Sequence, residues 1–222
     1  EQAARNKGWC TATNPCIITA AEGKSAGTAV CSRTQIGSRN SFAQSCNDKL
    51  LQARFQMKHF GAVCKGGIHF GSCYPHCNWP RNKKLNLDLL QDIGARICTL
   101  NGPWIIGGDW QCTPEELRET GWLKTIKGTI YAPDAPTCGD RIIDYFVVSD
   151  CLAQAGAVVA ACTIGDAYFN PHSPARLIVK TKSREVMVRH RKVPAGFGSV
   201  LPFGPPIRPC TPVALRGDDD SM

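Results

Sequence analysis

An α/β or α+β layered domain is the fold class this sequence predicts, on three observations. Short apolar runs of strand length dominate residues 28–180. One segment, 86–100, instead repeats its apolar residues at helical spacing. A complete helix-start signal stands at Thr113-Pro114-Glu115-Glu116. Strands with a few helices between them bury their apolar faces in stacked layers. With 222 residues and 43% hydrophobic content, the chain is long enough for one large domain with a real core, or one domain plus a tail.

The elements follow in order. Strand signals occupy residues 28–32, 55–64 and 67–74. In 86–100, Leu89, Leu90, Ile93, Ile97 and Leu100 share one helical face, and Asn86 is the expected N-cap. Residues 104–109, WIIGGD, form a short apolar run that predicts a strand. At the next helix Thr113 serves as cap, Pro114 loses only an N–H that needs no partner, and Glu116 reaches back to the cap. Three further strands are expected at 142–149, 157–164 and 175–180, and no repeat at solenoid spacing is present.

After Lys182 the character changes. The basic stretch KSREVMVRHRK gives way to residues 193–222, which hold six prolines and end in Asp218-Asp219-Asp220. The division expected is a domain over 1–182 and a basic, then proline-rich, disordered tail over 183–222.

Net charge is +8, unevenly spread. Residues 1–102 carry 13 Lys and Arg against 5 Asp and Glu; residues 103–180 carry 6 against 9; residues 181–222 carry 7 against 4. An acid-rich block between basic ones suits a metal-and-phosphate site beside a surface that attracts polyanions, as well as ordinary solvated charge. Basic residues such as those in Asn82-Lys83-Lys84 and in 182–192 are candidates for a phosphate backbone. No stretch of 18 or more apolar residues occurs, so no membrane-spanning helix is expected. The N-terminus, EQAARNKGWC, has no initiator Met and reads as the middle of a longer gene product. The 13 cysteines include no C-x-x-C pair and are expected to be mostly reduced and buried, in an intracellular setting. Cys73, His76 and Cys77 form a local group of zinc-type ligands without an evident fourth partner.

Three polar positions stand at apolar strands. Gly107-Gly108-Asp109-Trp110-Gln111 places a carboxylate at a strand end; the glycines suit a turn or a close ligand, and Asp109 and Gln111 on an extended chain point to one side. Arg141-Ile142-Ile143-Asp144-Tyr145-Phe146-Val147-Val148-Ser149 carries an acid inside an apolar run, where a buried charge needs a partner. Asn170-Pro171-His172-Ser173-Pro174-Ala175-Arg176-Leu177 sets a histidine at a turn into a strand. Asp144 is the candidate partner that holds the His172 tautomer.

In order and spacing, G-G-D-W-Q, R-I-I-D-Y-F-V-V-S and P-H-S-P-A-R-L resemble the C-terminal half of the endonuclease/exonuclease/phosphatase superfamily, whose motifs are G-D-x-N, an R-x-D-Y strand and S-D-H. GGIHFGSCYPH resembles its central strand, which ends in a phosphate-contacting tyrosine, and the match runs from about Gly8 to Lys180. The resemblance implies a two-sheet, four-layered α/β sandwich with the active site at one rim. It implies a Mg²⁺-dependent hydrolysis of phosphodiesters in nucleic acid, chiefly DNA, by an endonuclease of retroelement type, intracellular and nuclear rather than cytoplasmic. Asp109 would position or deprotonate the attacking water, His172 paired with Asp144 would hydrogen-bond the scissile phosphate, Tyr74 would donate to the same phosphate, and Gln111 would stand for the motif's amide.

Three positions depart from the pattern. Gln111 replaces asparagine, and a displaced amide at a precise site costs ~100-fold in rate. Pro171 replaces the carboxylate before the histidine. The early strand ending in L-Q-E, which carries the family's metal-binding glutamate, has no counterpart: Leu51-Gln52-Ala53 lacks an acid, and Glu22 lies in a Gly/Ala/Ser-rich loop. The chain therefore reads as a domain without its first strands and without its main Mg²⁺ ligand. Two alternatives stand beside hydrolysis of nucleic acid: a non-catalytic nucleic-acid-binding descendant of the fold, and a phosphatase acting on a small phosphoester.

Overall fold

The computed structural model describes residues 6–18, 22–33, 38–42, 49–61, 63–165 and 169–180. The tail expected at 183–222 and the basic stretch at its start lie outside the described residues, as do Cys46 and Cys210. Strands are β1 Cys10–Asn14, β2 Ile17–Ile18, β3 Lys24–Ser25, β4 Thr28–Ser32, β5 Ser38–Asn40, β6 Phe55–Phe60, β7 Ile68–Cys73, β8 Trp104–Asp109, β9 Gly128–Tyr131, β10 Asp144–Ser149, β11 Val158–Thr163 and β12 Ala175–Val179. Helices are α1 Lys49–Arg54, α2 Lys83–Ile97, α3 Pro114–Glu119, α4 Trp122–Ile126 and α5 Asp150–Gln154.

Six strands form one sheet in the order β5-β6-β7-β8-β10-β9. Its single parallel pair is β7 with β8. A parallel pair needs a crossover, and α2 provides it. That helix lays Leu89, Leu90, Ile93 and Ile97 on the sheet, where they join Ile106, Trp110, Leu117, Trp122 and Val147 in the main core. Alternation along β10 sends Tyr145 and Val147 to this helical side and Phe146 and Val148 to the other. On that second face Ile68, Ile105 and Val148 pack with Val158, Leu177 and Val179 of the β11/β12 ribbon. The molecule is thus the mixed α/β architecture its sequence predicts. Among the described residues, the strands outside the central sheet pair as ribbons, β1 with β4, β11 with β12 and β2 with β3.

Several local expectations are corrected. Asn86 is not the cap of α2, which begins three residues earlier; its side chain is fully buried and accepts from His76 N (2.7 Å) and donates to His76 O (3.0 Å). A buried amide with both ends satisfied fastens the helix to the loop after β7, a demand that outweighs capping. β6 stops at Phe60 instead of reaching Cys64, and β10 starts at Asp144, so this acid stands at the strand end and not inside the run. Cysteines are less buried than expected: Cys73 and Cys112 are buried, whereas Cys10, Cys31, Cys77, Cys98 and Cys151 are exposed, all with free thiols. Small polarizable side chains are evidently tolerated on the surface here.

Candidate active site

The α3 start forms as its residues dictate. Thr113 Oγ1 accepts from Glu116 N (3.3 Å) while Glu116 Oε2 accepts from Thr113 N (2.7 Å), a reciprocal capping box. Trp110, fully buried, donates its indole N–H to Tyr145 O (3.0 Å) and stacks on the Tyr145 ring at 5.6 Å. Its backbone N–H donates to Ile143 O (2.8 Å). The turn between β8 and α3 is therefore pinned on both sides, and with it the end of β8.

The two glycines before Asp109 serve the strand and not a turn. A Cβ at Gly108 would lie 2.1 Å from the Cys73 carbonyl oxygen, and one at Gly107 would lie 2.8 Å from the Phe146 ring. Their absence of side chains lets β7 and β10 close on β8. In that close register Asp109 faces Asp144 directly across the β8/β10 pair. His172 completes the group: Nδ1 lies 2.9 Å from Asp144 Oδ2, and Nε2 lies 4.0 Å from Asp109 Oδ2. Because a carboxylate only accepts, the Nδ1 proton is held toward Asp144 and Nε2 is turned to Asp109. Side-chain exposures of 33% for His172, 17% for Asp109 and 19% for Asp144 leave the group open at the rim.

Gln111 takes a left-handed backbone, φ 58°, so it does not continue an extended chain as its spacing suggested. It still meets Asp109, donating from Nε2 to Oδ2 (2.5 Å) and from its backbone N to Oδ1 (3.1 Å). Burial, and next the opposing Asp144 carboxylate, raise the Asp109 carboxyl above its ordinary value against the pull of Gln111 and His172. Tyr74 follows β7 at the same rim, since Cys73 pairs with Gly108. Its hydroxyl lies 3.5 Å from Cys77 Sγ. That hydrogen bond, then burial, push the phenol up to about 12, so it is a neutral donor across physiological pH.

Thr137 is the residue sequence reading missed. It is 1% exposed, and its Oγ1 accepts from Ile143 N (3.0 Å) and Asp144 N (2.9 Å) while its carbonyl accepts from Ser173 N (2.7 Å). One residue, by its side chain and its carbonyl, thus ties the strand carrying Asp144 to the segment carrying His172. Its only sequence signal was an ordinary Pro-Thr in a loop. Pro171, in a cis peptide with Asn170, stands where the resembled motif has an acid.

Asp109, Asp144 and His172 bring one ligand atom each within 4.8 Å of one another. Among the described residues no lysine or arginine pairs with either carboxylate, so two facing acids and an imidazole fit a divalent cation. Cys73, His76 and Cys77 do not assemble such a group, because Cys73 ends β7 buried in the main core and Cys77 is exposed beside Tyr74. Glu22 is exposed between β2 and β3, away from any such cluster among the described residues.

No family model and no curated protein matches the chain. Solved structures do. The endonuclease domain of TRAS1, a telomere-specific non-LTR retrotransposon, matches with a TM-score of 0.56 at 11% identity over 82% of this chain and 90% of that one. An endonuclease/exonuclease/phosphatase family protein from Leptotrichia buccalis gives 0.56 at 17% identity over 81% and 74%. The AP endonuclease LMAP from Leishmania major gives 0.56 at 14% identity over 79% and 71%. The chain spans 62% of the length of the cytolethal distending toxin from Actinobacillus actinomycetemcomitans, matched at 0.49 and 18% identity. At these identities the likeness is one of fold: this chain has the endonuclease/exonuclease/phosphatase fold.

Proposed function

We propose that this chain hydrolyses phosphodiester bonds of nucleic acid, DNA in the first place, as a Mg²⁺-assisted endonuclease of retroelement type. The observation that carries the reading is the register pairing of Asp109 with Asp144, with His172 bridging them. A structural ion-pair network would set cations against these acids; here two carboxylates and one imidazole converge on a solvent-open rim. Asp109 and Asp144 would hold a divalent cation, which when bound supplies Lewis-acid neutralisation of phosphate charge.

Each side chain has a distinct task. Asp109, clamped by Gln111, orients the attacking water and takes its proton. At 4.0 Å, Asp109 Oδ2 and His172 Nε2 are too far apart to bond each other directly and both face the same open space. Asp144 holds the His172 ring by Nδ1 so that its Nε2 edge faces the phosphate. Tyr74 donates its phenolic proton to a second phosphate oxygen. Lys83 and Lys84, exposed at the start of α2 just beyond the Tyr74 loop, suit a polymeric polyanion better than a small phosphoester. The TRAS1 endonuclease domain, matched over 90% of its length, supports the retroelement type by size and fold.

One observation favours the non-catalytic binder: Gln111 already occupies both Asp109 oxygens. Supercoiled plasmid with Mg²⁺ separates the two. Nicking that EDTA stops, and that Asp109→Ala and His172→Ala abolish, is the expected result. Salt-sensitive DNA binding without nicking would overturn hydrolysis in favour of binding alone, and phosphate release from a soluble phosphoester without nicking would shift the substrate class.

A further inference from the structure

Arg54 closes α1 and is 4% exposed, yet no carboxylate pairs with it among the described residues. Its Nη1 donates to the carbonyls of Tyr74 (3.2 Å) and Pro75 (3.0 Å), and its Nη2 to Ser25 Oγ (2.9 Å). Its own carbonyl accepts from Tyr74 N (2.8 Å), while Nε is buried with no partner. Three of these four bonds fall on the Tyr74–Pro75 backbone. A guanidinium cannot shed its proton, so the charge persists in a poorly solvated place. Burial lowers its pKa from the ordinary value, and the groups that oppose this shift are Cys77, Tyr74 and Cys73. The buried cation therefore stands against the Tyr74–Cys77 side of the rim.

We propose that Arg54 is a positioning residue for Tyr74 and the buried positive charge behind its phosphate contact, with an incoming phosphate as the counter-charge the protein itself withholds. This rests on Tyr74 being a phosphate contact, as the proposed function has it. Two consecutive carbonyls gripped by one guanidinium nitrogen, itself anchored through Nη2 on Ser25, fix where the phenol leaves β7. A hydrocarbon side chain of the same length would fill the space but leave both carbonyls unsatisfied and the rim without its cation.

The full chain labelled with 3-fluorotyrosine, titrated with inorganic phosphate and followed by fluorine NMR, tests this. Tyr74→Phe assigns the Tyr74 line among those of Tyr131, Tyr145 and Tyr168. In the wild type, phosphate is expected to move that line saturably. In Arg54→Met the line should shift and its phosphate affinity fall at least tenfold, with the other tyrosine lines in place. If Arg54→Met collapses all the lines toward one unfolded position, Arg54→Lys decides: it keeps the charge but loses the planar guanidinium whose Nη2 anchors on Ser25, and at least a threefold loss is expected. No phosphate response in the wild type, or an unchanged response in a folded Arg54 variant, overturns the proposal. Plasmid nicking run in parallel separates the two claims. A wild type that binds phosphate at Tyr74 through Arg54 but never nicks removes the hydrolase reading alone; a nicking wild type with an unaffected Arg54 variant removes only the Arg54 proposal.

Discussion

The two ends of the central sheet carry the same motif with opposite outcomes. At one end Asp109 faces Asp144 across β8/β10; at the other His59 faces His69 across β6/β7. Both are like-with-like titratable pairs in direct register. The histidine rings lie 4.6 Å apart, 7% and 6% exposed, and their Nε2 atoms meet only backbone carbonyls, of Gly66 (3.1 Å) and Asn101 (3.4 Å). The acids keep an open rim and recruit a third group, His172, with a gap between Nε2 and Asp109. A register pair can meet a ligand when it retains access and an unfilled direction; closed over by its own backbone, it is packing.

The largest effect expected to break this contrast is at the acid end. Asp144→Asn frees the wrong imidazole tautomer and should lower the nicking rate about 10²–10⁴-fold with the fold intact by circular dichroism. His69→Gln, at the closed end, should leave the rate within about twofold of wild type; a loss as large as that of Asp144→Asn would show that the two ends are not distinct. Next comes Gly108→Ala, whose new methyl meets the Cys73 carbonyl at 2.1 Å. It should cost about 2–4 kcal/mol in denaturant unfolding, since the strand register that aligns Asp109 must shift. Thr113→Ala removes the cap beside the site and should cost about 1 kcal/mol, and a partial recovery with Thr113→Ser distinguishes lost capping from lost packing.

The smallest effect concerns pH. Burial, then the neighbouring His59, lower the His69 pKa in the folded state. The unfolded chain therefore binds the proton more readily, so the stability this residue contributes is present above its ordinary value near 6.5 and is lost as pH falls below it. A thermal midpoint that drops between about pH 7 and pH 5, less steeply in His69→Gln, is the expected result. An equal slope in the variant would assign the pH dependence elsewhere.

Much of this molecule was legible in its residues. The strand 104–109, the strand 28–32 and the capping box at Thr113 form where local pattern places them, because period and cap chemistry act within a few residues. The candidate site's members could also be singled out, since Asp109 and Asp144 each interrupt or end an apolar run and His172 stands at a turn into a strand. The two-residue and three-residue strands β2, β3 and β5 escaped notice because so few residues carry no period.

What only the tertiary structure decided is how these residues meet. Periodicity marks a carboxylate at a strand end but cannot say which carboxylate lies opposite; the β8/β10 register, enforced by Gly107 and Gly108, does. Composition shows arginines and threonines without rank, whereas folding buries Arg54 under Tyr74 and Thr137 between Asp144 and His172. Local pattern reports what a segment prefers within a turn or two. Contacts between positions 20 or more apart, as Arg54 with Tyr74 or Asp144 with His172, depend on how whole elements pack.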